Sequence, residues 1–226
     1  MNNDLSALEE KLSYTFKDRE LLIRALSHSS YANERKINKK GDYERLEFLG
    51  DAVVELVVSE FLFSNYPQKK EGEMTRTRAA LVCEPTLAGC AREIDLPSFL
   101  LLGKGEEATG GRQKDSILCD VFEAVAGAIY LDGGYEAART YILEYVLRDW
   151  ENKALFVDSK SILQERMQKH GHRVSYVTIS ESGPANERTY VEELHIDGQA
   201  YTKADGHSKK AAQQKAAYEY LKVHPE

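Results

Sequence analysis

From Leu5 to Trp150 apolar residues recur at spacings of three and four, the period of amphipathic helices. Short helices are expected over 4–12 and 18–27. Asp18 can cap the second, with Leu21, Leu22, Ala25 and Leu26 on one face. His28–Glu34 is rich in side chains that hydrogen-bond to backbone and reads as a turn, His28 being a hydrogen-bonder before it is a catalyst. The basic, polar segment 35–42 reads as a loop. A long helix follows from Tyr43 to Asn65 and is stopped by Pro67. Further helices are expected over Met74–Val82 and from Pro85, a first-turn proline. Leu96–Gly103 is apolar, and the glycines of Gly103–Gly111 predict a mobile surface loop. Ile117–Leu131, closed by Asp132-Gly133-Gly134, reads as a strong helix, and Tyr135 to about Trp150 as the last of this region. No strand pattern precedes residue 150.

Beyond it the period changes. A mixed stretch, 151–158, reads as a linker, and Lys160–His170 as a helix. Val174–Ser180, Thr189–Ile196 and Gln199–Ala204 read as strands, with alternation at Tyr190, Glu192, Leu194 and Ile196 and a hairpin turn at Asp197-Gly198. Alanine-rich Ser208–Val223 closes an α-β-β-β-α unit.

The chain has 226 residues, 30% of them charged and 42% apolar, an ordinary soluble composition for one or two domains. It contains no apolar run long enough to span a bilayer. Met1-Asn2-Asn3-Asp4 is not a basic region leading into an apolar one, so no secretory signal is expected. Cys83, Cys90 and Cys119 read as buried thiols in a reducing cytoplasm rather than as a metal or disulfide site. The net charge of −7 argues weakly against a polyanionic partner, but the charge is uneven. Residues 1–157 hold 20 basic and 27 acidic side chains, whereas 158–226 hold 10 of each. Any nucleic-acid surface must therefore be a local patch.

The candidate chemistry lies on two helices. Glu44, Glu47 and Asp51 share one face of the long helix, and Glu55 extends the stripe. Like charges so aligned repel by a few tenths of a kcal/mol per pair, roughly, unless a cation offsets them. Asp120 and Glu123 repeat the pattern near the small residues Ala124, Ala126, Gly127 and Ala128, which suit close helix packing. If the two helices meet, Glu47, Asp51, Asp120 and Glu123 form a carboxylate cluster, and an all-oxygen set of that kind selects a hard cation such as Mg²⁺. The alternative is that each carboxylate is simply solvated.

Glu44-Arg45-Leu46-Glu47-Phe48-Leu49-Gly50-Asp51-Ala52 resembles the signature of the ribonuclease III family. His28–Glu34 upstream and Lys114–Ala124 downstream resemble the same family in the right order, so that the resemblance covers essentially the whole chain. It implies an all-α endonuclease domain (1–150), the linker (151–158) and a small α+β double-stranded RNA-binding domain (159–226). It further implies that Glu47, Asp51, Asp120 and Glu123 bind Mg²⁺, with Mn²⁺ able to substitute, and that Asp51 and Glu123 have the most direct catalytic roles. Glu44 and Glu71 match acids that the family places near the cleavage site. The implied reaction is hydrolysis of phosphodiester bonds in double-stranded RNA to 5′-phosphate and 3′-hydroxyl ends, in ribosomal, messenger and transfer RNA processing in a bacterial cytoplasm. The family dimerises through the signature helix. Leu46, Leu49, Val53 and Leu56 suit a core stripe there, and Phe48, Val54 and Val58 form an apolar excess for a partner helix or for burial within one subunit.

The C-terminal unit resembles a double-stranded RNA-binding domain in three regions. Gln164, Glu165 and Gln168 can reach ribose hydroxyls in the shallow minor groove. Pro184 and Asn186 lie in the loop for a second contact, Asn186 standing where a histidine is usual. Ser208, Lys209 and Lys210 open the last helix as a phosphate clamp. Ala204 replaces a usual glycine and Gln213 a common third lysine, which implies modest affinity. A duplex-binding scaffold without catalysis would be expected to lose one of the four carboxylates, and a helical enzyme for a small phosphorylated substrate has no use for the C-terminal unit.

Overall fold

The computed structural model describes residues 5–35, 41–184 and 188–225. The expected loop residues 36–40, and Asn186 with its proposed RNA contact, lie outside the described residues. The chain forms two compact units, one ending at Trp150 and the other beginning at Glu151.

The first unit is helical: α1 (Leu5–Leu12), α2 (Arg19–Ala25), α3 (Ser29–Glu34), α4 (Glu44–Asn65), α5 (Glu71–Val82), α6 (Glu84–Ile94), α7 (Lys104–Ala108), α8 (Asp115–Gly133) and α9 (Tyr135–Ile142). Among the described residues before Trp150 the only extended pairing is an isolated bridge between Ser27 and Leu101. From Ile117 to Ile129 every residue of α8 except Asp120 is buried. A helix apolar on all sides belongs at the centre, and α2, α4, α6 and α9 pack against it.

Helices α4 and α8 touch backbone to backbone. A Cβ on Gly50 would lie 1.7 Å from the Glu123 carbonyl oxygen, and one on Gly127 would lie 2.3 Å from that of Leu46. This crossing decides which side of α4 is core. The buried stripe is Leu46, Gly50, Val53, Val54, Val57, Val58 and Leu62. The expected stripe holds at Leu46 and Val53, leaves Leu49 half-buried and fails at Leu56, because the buried face widens toward Gly50, Val54, Val57 and Val58. Leu56 is exposed, whereas Val54 and Val58 are buried within the subunit. Phe48 stays outside at 81% exposure, joined by Leu56 and Phe63.

Four local expectations change. His28–Glu34 is not a turn but α3, because the His28 Nδ1 accepts from the Ser30 amide and caps it. The glycine-rich segment after Gly103 is not a loose loop. It holds α7, tied down where the Gly103 and Lys104 amides donate to Ser30 Oγ (2.9 Å) and Glu34 Oε1 (2.7 Å). Helix α5 begins at Glu71, a turn before Met74, because the Glu73 carboxylate accepts from the Lys70 amide at 2.9 Å. After α9 the chain widens into one π-helical turn, Leu143–Leu147, instead of running on as α-helix to Trp150.

The second unit contains α10 (Trp150–Lys169), β1 (Val174–Ser182), β2 (Thr189–Ile196), β3 (Gln199–Gly206) and α11 (Lys209–Val223). The strands form one antiparallel sheet in the order β1-β2-β3. Asp197 and Gly198, both at positive φ, make the tight turn between β2 and β3. Residues 151–158, expected as a linker, are helical and belong to α10. Leu155 packs on the small core formed by Leu163, Leu194, Ile196, Ala216, Ala217, Tyr220 and Leu221, and Phe156 meets the Tyr218 ring edge-on. Ala204 is buried in that core, so the methyl at this departure is used in packing. The glycine that matters is Gly206, where a Cβ would lie 2.6 Å from the Ala212 amide.

Candidate active site

The crossing at Gly50 and Gly127 gathers the acidic faces of α4 and α8. Asp51 follows Gly50, Glu47 lies one turn before it, and Glu123 offers the carbonyl that Gly50 touches. Glu123 is 8% exposed, Glu47 and Asp120 are half-buried and Asp51 is exposed.

These groups feel one another. Burial, followed by the charges of Asp51, Asp120 and Glu47, pushes the Glu123 carboxyl up to about 8. Burial, followed by Asp120, Glu44 and Asp51, pushes Glu47 up to about 7. Asp120 is raised by burial and by Glu84, against the lowering effect of a hydrogen bond from the Tyr43 hydroxyl to its Oδ2 at 3.1 Å. Glu9, the other deeply buried acid of this unit, has a different setting: Arg19 pairs with it at 2.5 Å and the Phe16 amide donates to it. Among the described residues no three acidic, histidine or cysteine side chains are drawn into a closed cage.

The structure thus brings together Glu47, Asp51, Asp120 and Glu123, with Glu44 acting on Glu47 and Asp120. Glu71 is not in this group. It opens α5, accepts from Thr75 Oγ1 at 2.9 Å and borders a groove with Ser59, Phe63 and Arg78. Sequence reasoning missed Tyr43 and Glu84. Tyr43 is buried, its amide donates to the Ser27 carbonyl at 2.9 Å and its ring lies against His28, so that its hydroxyl is aimed at Asp120. A tyrosine directly preceding the acidic stripe was the available signal. Glu84, at the start of α6, had none. The Cys119 thiol points at Glu123 Oε1 from 3.9 Å, and burial and that carboxylate hold it well above the usual thiol range, so it is a poor nucleophile. None of the three cysteines is in a disulfide; Cys90 and Cys119 are buried and Cys83 half-buried.

In the second unit Gln164, Glu165 and Gln168 are exposed on α10, and Pro184 is exposed after β1. Ser208 caps α11, its Oγ accepting from the Ala211 amide at 3.1 Å, and Lys209 and Lys210 project from the first turn.

A carboxylate centre between two helices, followed by an α-β-β-β-α module, defines a nuclease for duplex RNA. Comparison with known proteins agrees. Residues 18–150 match the family model described as ribonuclease-III-like, and residues 159–224 that of the double-stranded RNA binding motif. Ribonuclease 3 of Bacillus cereus strain G9842 is 48% identical over 217 residues, covering 95% of this chain and 89% of that protein. The same identity and coverage hold for ribonuclease 3 of Bacillus anthracis strain A0248. A crystal structure of the nuclease domain of ribonuclease III from Campylobacter jejuni is 44% identical, with a TM-score of 0.60, covering 66% of this chain and 97% of that one. A second structure of that domain, in which a region involved in dimer formation is flexible, is 45% identical with a TM-score of 0.59, covering 63% of this chain and 96% of that one. The chain belongs to the ribonuclease III family and is an endoribonuclease acting on double-stranded RNA.

Proposed function

We propose that the four carboxylates at the crossing of α4 and α8 hold Mg²⁺, with Mn²⁺ able to substitute, and that they are the centre at which this endoribonuclease cuts duplex RNA. The observation that carries this reading is electrostatic. Glu47, Asp51, Asp120 and Glu123 lie about a backbone-to-backbone contact, and burial followed by the charges of their acidic neighbours raises the proton affinity of Glu47 and Glu123. Four oxygen donors of one sign suit a hard divalent cation. When bound, Mg²⁺ neutralises this charge and assists in-line attack of water on phosphorus. Glu123, the most buried of the four, and Asp51, which adjoins the Gly50 contact, take the most direct roles. Glu47 and Asp120 complete the donor set, Tyr43 orients Asp120, and Glu44 adds negative charge at the rim. Hydrolysis leaves 5′-phosphate and 3′-hydroxyl ends.

The working form is a homodimer. Phe48, Leu56 and Phe63 form an exposed apolar line on α4, and a second copy packed on it would cover them. Phe63 lies fifteen positions after Phe48, about 22 Å along the helix. A two-fold, antiparallel pairing would carry Glu71, which borders Phe63, toward the partner's carboxylates rather than its own. Gln164, Glu165, Gln168, Pro184 and Asn186 read the minor groove, and Ser208, Lys209 and Lys210 grip phosphates. Among the described residues no helix is long and apolar enough to cross a membrane. Maturation of ribosomal and transfer RNA and processing of structured messenger RNA in the cytoplasm fit an enzyme that reads duplex shape.

The test is cleavage of labelled duplex RNA by the full chain. Mg²⁺ should give staggered products and EDTA should stop the reaction. Glu123→Gln should cut nothing yet shift the duplex in a gel as the parent does. An uncut duplex with the parent protein in Mg²⁺ contradicts the catalytic reading, and loss of binding together with cutting makes Glu123 structural.

A further inference from the structure

In the second unit Glu192 is a fully buried carboxylate at 1% exposure. It accepts from Thr178 Oγ1 at 2.5 Å and from the Gln213 amide nitrogen at 2.7 Å. The Gln213 amide oxygen in turn accepts from Lys160 Nζ at 2.6 Å. Gln213 is thus a neutral bridge on α11 between a buried anion on β2 and a cation on α10. Buried charge of this kind persists only when paired and hydrogen-bonded. A lysine at 213 would have met Glu192 directly and put a second cation beside Lys160.

The middle of α10 and the first turns of α11 are fastened together here. Ser159 Oγ donates to the Gln214 carbonyl at 3.0 Å, one residue along from the Lys160–Gln213 bond. Lys160 lies over the Tyr176 ring, 5.0 Å from its centroid, which fixes the direction of its stem. It remains half-buried, close enough to Lys210 that this second ammonium, after burial itself, lowers its proton affinity, while Glu192 acts the other way. Lys209 is steered separately over Tyr190, 5.9 Å from that ring. Glu192 offsets one positive charge of the group, and the capped first turn of α11 adds its own partial positive charge.

We infer that Lys160 is part of the RNA phosphate grip: the cation beside Lys209 and Lys210 comes from α10, held in place by Gln213, and α11 needs no third lysine. The inference rests on reading Lys209 and Lys210 as phosphate contacts. The departure at Gln213 then relocates a charge instead of losing one.

The test is the salt dependence of duplex RNA binding by the full chain, in EDTA so that nothing is cut. Lys160→Gln should weaken binding about three- to tenfold near 0.1 M salt and flatten the log–log salt slope by about one contact. Lys160→Arg should keep the slope. The doubly neutral Lys160→Gln/Glu192→Gln chain leaves no uncompensated buried charge, so it should fold with a normal melting temperature and still show the reduced slope. The swap Lys160→Gln/Gln213→Lys should restore it. A parental slope in the doubly neutral chain overturns the inference and makes Lys160 only the partner of Glu192. If Lys209→Ala/Lys210→Ala leaves the slope untouched, the clamp reading beneath it fails instead.

Discussion

The two units solve opposite electrostatic problems by similar means. Each brings like charges from two helices to one place: carboxylates from α4 and α8 in the first, ammonium groups from α10 and α11 in the second. In the first, the helices touch at glycines, the side chains are short, and Glu123 is buried among acids. The charges cannot retreat, and the outcome is proton uptake. In the second, the side chains are long, and aromatic rings and one buried acid hold them. A partly buried cluster of short side chains suits a small hard ion at a fixed point, whereas a spread of long surface cations suits phosphates spaced along a polymer.

The hardest way to break the comparison is to remove the close approach. Gly50→Val should destabilise the first unit by roughly 3 kcal/mol or more, or prevent its folding, because the new side chain meets the Glu123 backbone. Circular dichroism melts should show that loss, whereas Gly72→Val, in open space, should melt near the parent.

A smaller break comes from the lysines. Lys209→Ala/Lys210→Ala should weaken duplex binding about 10- to 100-fold at moderate salt while leaving the melting curve in place, as removal of exposed charges does. Filter binding across a salt series checks it. Tyr43→Phe should raise the Mg²⁺ concentration for half-maximal cutting about tenfold, because Asp120 loses its oriented donor. An unchanged Mg²⁺ dependence would separate Tyr43 from the site.

The smallest effect is on stability against pH. Glu47 and Glu123 hold protons more tightly when folded than the ordinary value of 4.5, up to about 7 and about 8. The stability they contribute is therefore full below about pH 4.5 and is lost as pH rises through 7 and 8. The metal-free chain should melt lower at pH 8.5 than at pH 6, and Glu123→Gln should recover about 2–6 °C of that at pH 8.5. Scanning calorimetry at the two values decides it.

Much of this was legible in the residues. The long helices α4 and α8 announce themselves by period, and the second unit by alternation and by Asp197-Gly198. The acidic pairs were visible, but their meeting depends on Gly50, which in sequence is only a tolerable glycine within a helix. The same contact puts Val54 and Val58 inside, a widening of the buried face that periodicity cannot resolve on a helix apolar over most of its surface. The short helices α3 and α7 escape because they are held by distant partners, Ser30 and Glu34 with the 103–104 backbone. Lys160 looked like an ordinary helix lysine until Gln213 and Glu192 placed it.

The most direct measurement is Mg²⁺ binding to the RNA-free chain at pH 7, followed by titration calorimetry in two buffers of different ionisation enthalpy. Glu47 and Glu123, pushed up to about 7 and about 8, should together release about one proton as the ion binds, and Glu123→Gln should release markedly less. Binding without proton release, or an identical heat from Glu123→Gln, would contradict a cation site built from these carboxylates.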